Sequence, residues 1–293
     1  MIEKVVSVNK DGMRADRFVK SLSAGIGFGF LQKLFRTKKI KINGKKAEPS
    51  DKIHTGDVIK IFATLPEELQ QKQENNPKLF EQLKKMIIFE NDNFFAINKP
   101  SKLAVQLGSK VTFCIETLIK AYPNLQCFLV HRLDKDTSGV LLIAKNQLWA
   151  RKLTGMFRDN EIKKTYLAIV DGKIKSAGTI NDYIEKSFIG NEEKMCVTKN
   201  EGLQAVTHYR PLQKVGFHTL LELRPDTGRK HQLRVHCASE LNAPILGDYK
   251  YNPNALGSNM FLHAYKIFIK PLGIEITAEL PAYFKEQIST EEC

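Results

Sequence analysis

The stretch FLVHRLDKDTSGVLLIAK, residues 128–145, decides the fold because two apolar runs flank a dense cluster of ionisable groups. Both runs have the length and composition of buried strands, so Asp134 lies where the chain leaves the core. Two interpretations remain open. Asp134 and Asp136 are either solvated acids of an ordinary hairpin turn that Ser138 and Gly139 close, or acids of a functional site. Periodicity alone favours the turn.

Further strands and helices are predicted on both sides of this stretch. Strand-like segments include FFAINKP before it and KTYLAIV, AVTHYRPLQ and FHTLLELRP after it, whereas LWARKLTGMFRDN has helical spacing. The elements are mixed without a repeating βαβ rhythm, and no internal repeat of fixed period is present. The sequence therefore predicts an α+β fold.

The chain is strongly basic. It contains 45 Lys and Arg against 32 Asp and Glu, which gives a formal net charge of +13 over 293 residues. Residues 1–65 hold 14 basic and 6 acidic residues, an excess of +8. This concentration of charge favours an extended polyanion as partner, with nucleic acid ahead of an anionic membrane.

The cysteines and the apolar runs of the sequence bear on the cellular compartment of the protein. Five scattered cysteines form no CxxC pair, which argues against structural zinc and against a disulfide scaffold. No apolar run approaches the roughly 18 residues of a membrane span, and the N-terminus MIEKVVSVNK lacks the hydrophobic stretch of a secretory signal. We therefore expect a cytoplasmic protein with reduced thiols and no metal site.

The N-terminal part predicts a small basic domain. A strand and two helices precede two short strands, IKIN and DVIKIF, which are joined through Asn43-Gly44 and Thr55-Gly56 turns. The following segment is polar and Gln-rich, as linkers are. We predict a domain over 1–62, a linker over 63–85 and a second domain over 86–293. Candidate nucleic-acid contacts near the second helix end and the first turn are Arg36, Lys38, Lys39, Lys45 and Lys46.

A second candidate segment is TGRKHQLRVH, residues 227–236. A helix with Thr227 as N-cap would place Arg229 and Lys230 in its first turn, where the positive end of the helix dipole disfavours cations. Either these cations are exposed at small cost, or an anionic partner such as a carboxylate or phosphate stabilises them. Tyr166, in KKTYLAIV, has the pattern of a strand aromatic in the core.

Several segments together carry a family resemblance. INKPSKLAV, HRLDKDTSGVLLIAK, KTYLA, TGRKHQLRVH and FLHA occur with family-like spacing and resemble the RluA-type pseudouridine synthases, most closely their C-type branch. The segments MRADRFV, KKIKINGKKA and HTGDVIKI are similar to the small alpha-L RNA-binding domain that precedes the catalytic domain in ribosomal large-subunit synthases. The resemblance implies a mixed, largely antiparallel catalytic sheet with flanking helices. It also implies isomerisation of uridine to pseudouridine in RNA, as large-subunit ribosomal RNA or a pre-ribosomal particle, without metal or organic cofactor.

The resemblance also implies roles for individual residues. Asp134 becomes the catalytic aspartate, and Arg229 its ion-pair partner. Tyr166 becomes the aromatic that stacks on the target uracil, and Arg132 the side chain that reaches into the RNA vacated by the flipped nucleotide. Leu262 matches an apolar packing position around the site. An ionised Asp134 could attack the anomeric carbon or remove the neighbouring sugar proton, and both routes stay open.

One loop departs from the family pattern. Relatives commonly have NKPSG followed by a Val-His pair, whereas this chain has Lys102 and then Val105-Gln106. The RNA contact of that loop is therefore not carried over.

Three other hypotheses fit parts of the sequence, and a monomer is the default oligomeric state. A non-catalytic RNA-binding or ribosome-assembly protein would explain the charge but gives no role to an Asp134–Arg229 pair. A serine hydrolase using Ser138, with His231 and an Asp, lacks the GxSxG elbow. A nuclease using His131 and His231 as acid and base rests on two histidines alone.

Overall fold

The fold is described from a computed structural model, in two compact units formed by residues 1–74 and 75–293. The structure describes residues 2–23, 26–65, 77–107, 113–123, 126–190, 192–255 and 259–289. Residues 66–76 of the predicted linker lie outside this part. The C-terminal end of the predicted linker contains a helix, Pro77–Lys84. This helix belongs to the second unit, because Leu83 is fully buried in a core of that unit.

The N-terminal unit combines a small sheet with two helices. The elements are β1 (Ile2–Val5), α1 (Ala15–Ser21), α2 (Phe28–Arg36), β2 (Ile40–Ile42), β3 (Lys45–Lys46) and β4 (Val58–Ile61). The four strands form an antiparallel sheet in the order β1-β4-β2-β3. Asn43 and Gly44 join β2 to β3 with φ values of 49° and 81°. Two successive left-handed residues are what a tight hairpin requires, so the predicted Asn-Gly turn is confirmed.

The second unit contains a large sheet and flanking helices. Its helices are α3 (Pro77–Lys84), α4 (Ile115–Ile119), α5 (Gln147–Arg158), α6 (Gln232–Ser239) and α7 (Ala282–Ser289). Its first strands are β5 (Ile87–Glu90), β6 (Phe94–Lys99), β7 (Phe128–Leu129), β8 (Ser138–Ala144), β9 (Ile162–Val170) and β10 (Gly178–Ile189). The later strands are β11 (Glu192–Thr198), β12 (Leu203–Val215), β13 (His218–Pro225), β14 (Leu262–Ile269) and β15 (Ile274–Thr277).

These strands form one sheet in the order β11-β10-β12-β13-β9-β14-β8-β6-β5, with β15 beside β14 and β7 beside β8. Within the described residues every pairing is antiparallel except that of β14 with β8. All seven residues of β8 are buried, as its continuous apolar sequence predicts for a central strand. The predicted α+β class with a mixed, largely antiparallel sheet is confirmed.

The parallel joint between β8 and β14 depends on a glycine. Gly139 lies beside Ala264 in the register and has φ of 111°. A Cβ on Gly139 would lie 2.2 Å from the Ala264 carbonyl oxygen, so a side chain cannot be accommodated there. The close approach brings the start of β8 against β14, which carries Leu262 and pairs on its other side with β9, the strand of Tyr166.

No helix within the described ranges is both long and apolar enough to cross a membrane.

Candidate active site

A cavity of about 730 Å³ opens beside the β8–β14 joint, entirely within the second unit. Its walls come from the loop before β8, from β9, from the start of β14 and from the segment that leads into α6. All five residues that the family resemblance singled out for this unit line the cavity, and they are Arg132, Asp134, Tyr166, Arg229 and Leu262.

Asp134 lies in the loop between β7 and β8. It is both a turn residue and a residue of the cavity, the two interpretations that its sequence left open. Its main-chain carbonyl accepts a hydrogen bond from Thr137 N at 3.2 Å, as in a turn. Its side chain is 23% exposed, and Oδ2 accepts a hydrogen bond from Arg234 Nη1 at 3.3 Å. His231 Nε2 lies 3.8 Å from the same oxygen. The carboxylate therefore lies between a guanidinium and an imidazole at the cavity wall.

Arg234 is fixed by a second carboxylate. Its Nε and Nη2 donate to Asp248 Oδ2 and Oδ1 at 2.8 and 2.7 Å, a bidentate pair in which Asp248 is fully buried. Burial on its own would lower the pKa of Arg234. The hydrogen bonds and charge of Asp248, together with the charge of Asp134, more than offset burial and raise that pKa. Arg234 is thus a permanent cation whose position does not depend on Asp134.

The predicted ion pair between Asp134 and Arg229 is wrong. Arg229 Nε instead donates to the carbonyl oxygen of Gln204 at 2.9 Å, and the guanidinium in contact with Asp134 is that of Arg234. Arg229 lines the same cavity and is partly exposed, so it is placed to contact a ligand rather than the aspartate.

The helix start was also predicted too early, which explains this error. Helix α6 begins at Gln232, with His231 rather than Thr227 as N-cap, so Arg229 and Lys230 precede it. The Gln232 side chain folds back: its Oε1 accepts from Thr227 Oγ1 at 2.8 Å and from Arg229 N at 3.0 Å. These bonds hold the preceding residues in a loop. The cation in the first helical turn is Arg234, and the stabilising anions are carboxylates of the protein itself.

Three further predicted residues line the same cavity as the aspartate. Tyr166 lies on β9 opposite Leu223 and Ala264. Burial, and then the charge of Asp134, raise the pKa of Tyr166, so its hydroxyl is protonated at neutral pH. Leu262 begins β14 and is 3% exposed, which gives the cavity an apolar wall. Arg132 is exposed and makes no hydrogen bond or ion pair with a described residue, so its guanidinium is available to an anionic ligand.

Lys99 holds the loop before β8 in place. This lysine is fully buried at the end of β6, and its ammonium donates to three main-chain carbonyls, those of Pro100, Leu103 and Lys135, at 2.9, 2.8 and 3.1 Å. Lys135 follows Asp134 directly in sequence. The bonds therefore tie the segment that carries the aspartate to the INKPS loop.

The hydrolase and nuclease hypotheses do not fit this geometry. Ser138 is fully buried, and its Oγ pairs at 2.8 Å with His263 Nδ1 rather than with His231. His131 Nε2 accepts the main-chain N–H of Leu142 at 2.8 Å, and burial lowers its pKa to about 3. Ser138 cannot reach a substrate, and His131 has no ring nitrogen free to take up a proton.

The described residues contain no group of three or more His, Cys, Asp or Glu side chains arranged to hold a metal ion.

Comparisons with known proteins match both the sequence and this architecture. Residues 93–239 match the family described as RNA pseudouridylate synthase. Over 97% of its length, the chain is 38% identical to ribosomal large subunit pseudouridine synthase C of Rickettsia felis, 98% of which is covered. The chain belongs to the RNA pseudouridylate synthase family. It is therefore an isomerase that converts uridine in RNA to pseudouridine, as the RluA-type resemblance implied.

Two further relatives agree with this assignment. The synthase C of Rickettsia bellii is 39% identical over 96% of this chain and 99% of its own. Among solved structures, human RNA pseudouridylate synthase domain containing 4 aligns with a TM-score of 0.61 at 26% identity, covering 73% of this chain and 95% of its own. The cavity at the β8–β14 joint is thus the candidate active site of an RNA pseudouridine synthase.

Sequence reasoning missed three residues of the site: Arg234, Asp248 and His231 as a neighbour of the aspartate. Arg234 and His231 lie within the segment that was singled out, so their types and proximity were visible. Asp248, in a loop 14 residues after Arg234, carries no periodic or motif signal.

Proposed function

We propose that Asp134 breaks and remakes the glycosidic bond of uridines in large-subunit ribosomal RNA. The observation that carries the proposal is the contact of the Asp134 carboxylate with Arg234, a buried guanidinium that Asp248 fixes independently. Both routes of reaction need this carboxylate at a defined position beside the ribose, and a fixed guanidinium holds its Oδ2 there.

The reaction cleaves the bond between N1 of uracil and C1′ of the ribose, turns the base, and joins C5 of uracil to C1′. The proton on C5 leaves to solvent while N1 takes up a proton and becomes N–H, so the product is an isomer of the substrate and nothing is oxidised or reduced. Asp134 acts either as nucleophile at C1′ or as base toward the neighbouring sugar proton. The detached uracil must be retained, and the Tyr166 ring supplies a stacking face on the cavity wall.

The target nucleotide must leave its stack to enter the cavity, because the reacting atoms are inaccessible inside a helix. Arg132 is exposed, without a described partner, and two residues from the aspartate. It is therefore suited to fill the gap left in the RNA, while Arg229 and Leu262 contact the extruded nucleotide.

We propose that the N-terminal unit is an alpha-L RNA-binding domain that positions this RNA. Its five candidate residues are all exposed, at the end of α2, in the turn that follows, and on β3. Phosphate contacts of this kind add affinity without reading sequence. The large-subunit target rests on the names of the relatives. Action in the cytoplasm, as a monomer, is part of the same proposal.

Substitution Asp134→Asn tests the catalytic role. Purified protein is incubated with unmodified large-subunit ribosomal RNA, and pseudouridine is mapped by carbodiimide adducts. We expect no pseudouridine with Asp134→Asn and parental levels with Asp92→Asn, which makes the same chemical change at an exposed turn between β5 and β6. Activity that survives in Asp134→Asn refutes the assignment.

The RNA-binding role of the N-terminal unit is tested by salt dependence. Replacing the five basic residues by glutamine should weaken RNA binding and lower the slope of log K against log salt by about one for each phosphate that the variant no longer neutralises. An unchanged affinity and slope contradicts the proposal, whatever the result with Asp134→Asn.

A further inference from the structure

His231 connects Asp134 to a part of the chain that no catalytic role yet uses. Its Nε2 faces Asp134 Oδ2 at 3.8 Å, and its Nδ1 lies 2.8 Å from the Tyr251 hydroxyl oxygen. The Tyr251 hydroxyl in turn accepts the main-chain N–H of Met195 on β11 at 3.0 Å. A continuous chain of polar contacts thus runs from the backbone of β11 to the aspartate.

The contacts favour one tautomer of the His231 ring. Because the Tyr251 oxygen already accepts from Met195, its O–H is free to donate to His231 Nδ1. The neutral imidazole then carries its proton on Nε2, the nitrogen that faces the carboxylate. Burial lowers the pKa of His231 to about 4; Arg234, Lys230 and Lys250 act in the same direction, and Asp134 opposes them. The ring is therefore neutral at pH 7.

The backbone and the neighbouring ring fix the imidazole in this orientation. His231 is the N-cap of α6 with φ of 55° and ψ of 17°, a left-handed conformation that costs free energy in a residue other than glycine. Its ring packs edge-on against Tyr251 at 5.6 Å between centroids, and the Arg234 guanidinium lies 5.1 Å from the Tyr251 centroid. Tyr251 thus contacts both groups that face the aspartate.

We propose that His231 is a positioning residue that holds Asp134 Oδ2 through its Nε2–H, and that Tyr251 fixes this tautomer from its bond to β11. The inference rests on the proposed catalytic role of Asp134. A separation of 3.8 Å is longer than a hydrogen bond, and such contacts commonly tighten in the substrate complex. The strand β11, which contributes no residue to the cavity wall, acquires a role as the anchor of this contact.

The tautomer is tested directly on the full chain. Long-range proton–nitrogen correlation spectra of ¹⁵N-histidine protein at pH 7 report which nitrogen is protonated, and the signals missing in His231→Asn identify the residue. We expect a neutral ring with the proton on Nε2. A proton on Nδ1, or a charged imidazolium, overturns the proposal.

Single-turnover kinetics test the function. Asparagine tolerates the left-handed backbone of position 231 but is too short to reach Asp134. We expect His231→Asn to slow the chemical step by roughly tenfold to a hundredfold while KM changes less than about twofold. Tyr251→Phe keeps the ring against Arg234 and removes only the hydroxyl, and it should slow the step less. The double variant should be no slower than His231→Asn, because both changes break one chain of contacts.

Matched controls are His218→Asn and Tyr183→Phe, which make the same changes outside this chain of contacts and should keep the parental rate. A parental rate in His231→Asn, or additive effects in the double variant, overturns the inference. If His231→Asn does not fold, a parental rate in Tyr251→Phe overturns the inference in the same way. Asp134→Asn, assayed in parallel, separates the two proposals, because activity there refutes the catalytic assignment itself.

Discussion

Substitution Arg234→Met separates the structural role of Arg234 from its role beside Asp134. In the parent protein the guanidinium is 4% exposed and makes a bidentate pair with Asp248, which is fully buried. Methionine leaves the Asp248 carboxylate buried without a counter-charge. Removing one partner of a buried pair costs about 3–5 kcal/mol, which corresponds to a fall in Tm of about 10 °C for a unit of this size.

The second variant, Arg234→Met with Asp248→Asn, replaces the charged pair by neutral groups. The amide oxygen that Asp248→Asn introduces can still accept the main-chain N–H of Lys250 and Tyr251, which the carboxylate accepts at 3.0 and 3.3 Å. Stability should return to within about 1–2 kcal/mol of the parent, because a buried ion pair contributes little net free energy. Activity should not return, since Asp134 still lacks its guanidinium, and the rate should fall at least about a hundredfold.

Urea unfolding at pH 7 and tritium release from C5-labelled uridine in RNA measure the two effects. Arg224→Met, which removes an exposed arginine that pairs with Glu222, is the control. Equal stability of Arg234→Met and the parent, or full activity in the double variant, refutes the reasoning.

Three further predictions concern the frame and the wall of the cavity. Gly139→Ala should cost roughly 2–6 kcal/mol in unfolding free energy, or abolish folding, because its Cβ meets the Ala264 carbonyl at 2.2 Å with φ of 111°; parental stability in urea would contradict this. Lys99→Met should cost about 2–4 kcal/mol through three unpaired carbonyls. Burial lowers the pKa of Lys99 to about 7, against about 10.4 in the unfolded chain. The unfolded chain therefore binds more protons than the folded protein between pH 7 and 10, and the difference in unfolding free energy between the parent and Lys99→Met should grow over this range. A difference that stays constant with pH would contradict this prediction. Tyr166→Ala should weaken RNA binding by about 1–3 kcal/mol, whereas Tyr166→Phe keeps the stacking face and the affinity, and equal affinities in a filter-binding assay would argue against stacking.

The strands that form the frame of the site could be predicted from the sequence, because buried central strands consist mainly of apolar residues. The continuous apolar run of β8 and the apolar end of β9 are typical of central strands, and both lie in the middle of the sheet. By contrast, β11 and β15 were not predicted. The sequence of β11 is EEKMCVT, and its pairing with β10 and its contacts with site residues, rather than an apolar face, hold it in place.

The position of the ion pair could not be predicted, for a physical reason. A cation in the first turn of a helix does need an anion, but the cation in that turn is Arg234 rather than Arg229. The start of α6 is set by the Gln232 side chain folding back onto Arg229 N and Thr227, and by the left-handed His231. The helical spacing of apolar residues does not depend on side-chain hydrogen bonds of this kind. The spacing alone therefore placed the N-cap at Thr227, one turn too early.

The arrangement around Asp134 makes its two oxygens inequivalent, which bears on the chemistry. Oδ2 accepts from Arg234 and faces His231 Nε2, whereas Oδ1 accepts no hydrogen bond from a described residue. Arg234 cannot turn toward Oδ1 without leaving Asp248, because its Nε and Nη2 are both engaged there. Oδ2 is therefore the anchored oxygen and Oδ1 the free one. We expect Oδ1 to meet the ribose by either route, as nucleophile at C1′ or as base toward the neighbouring proton.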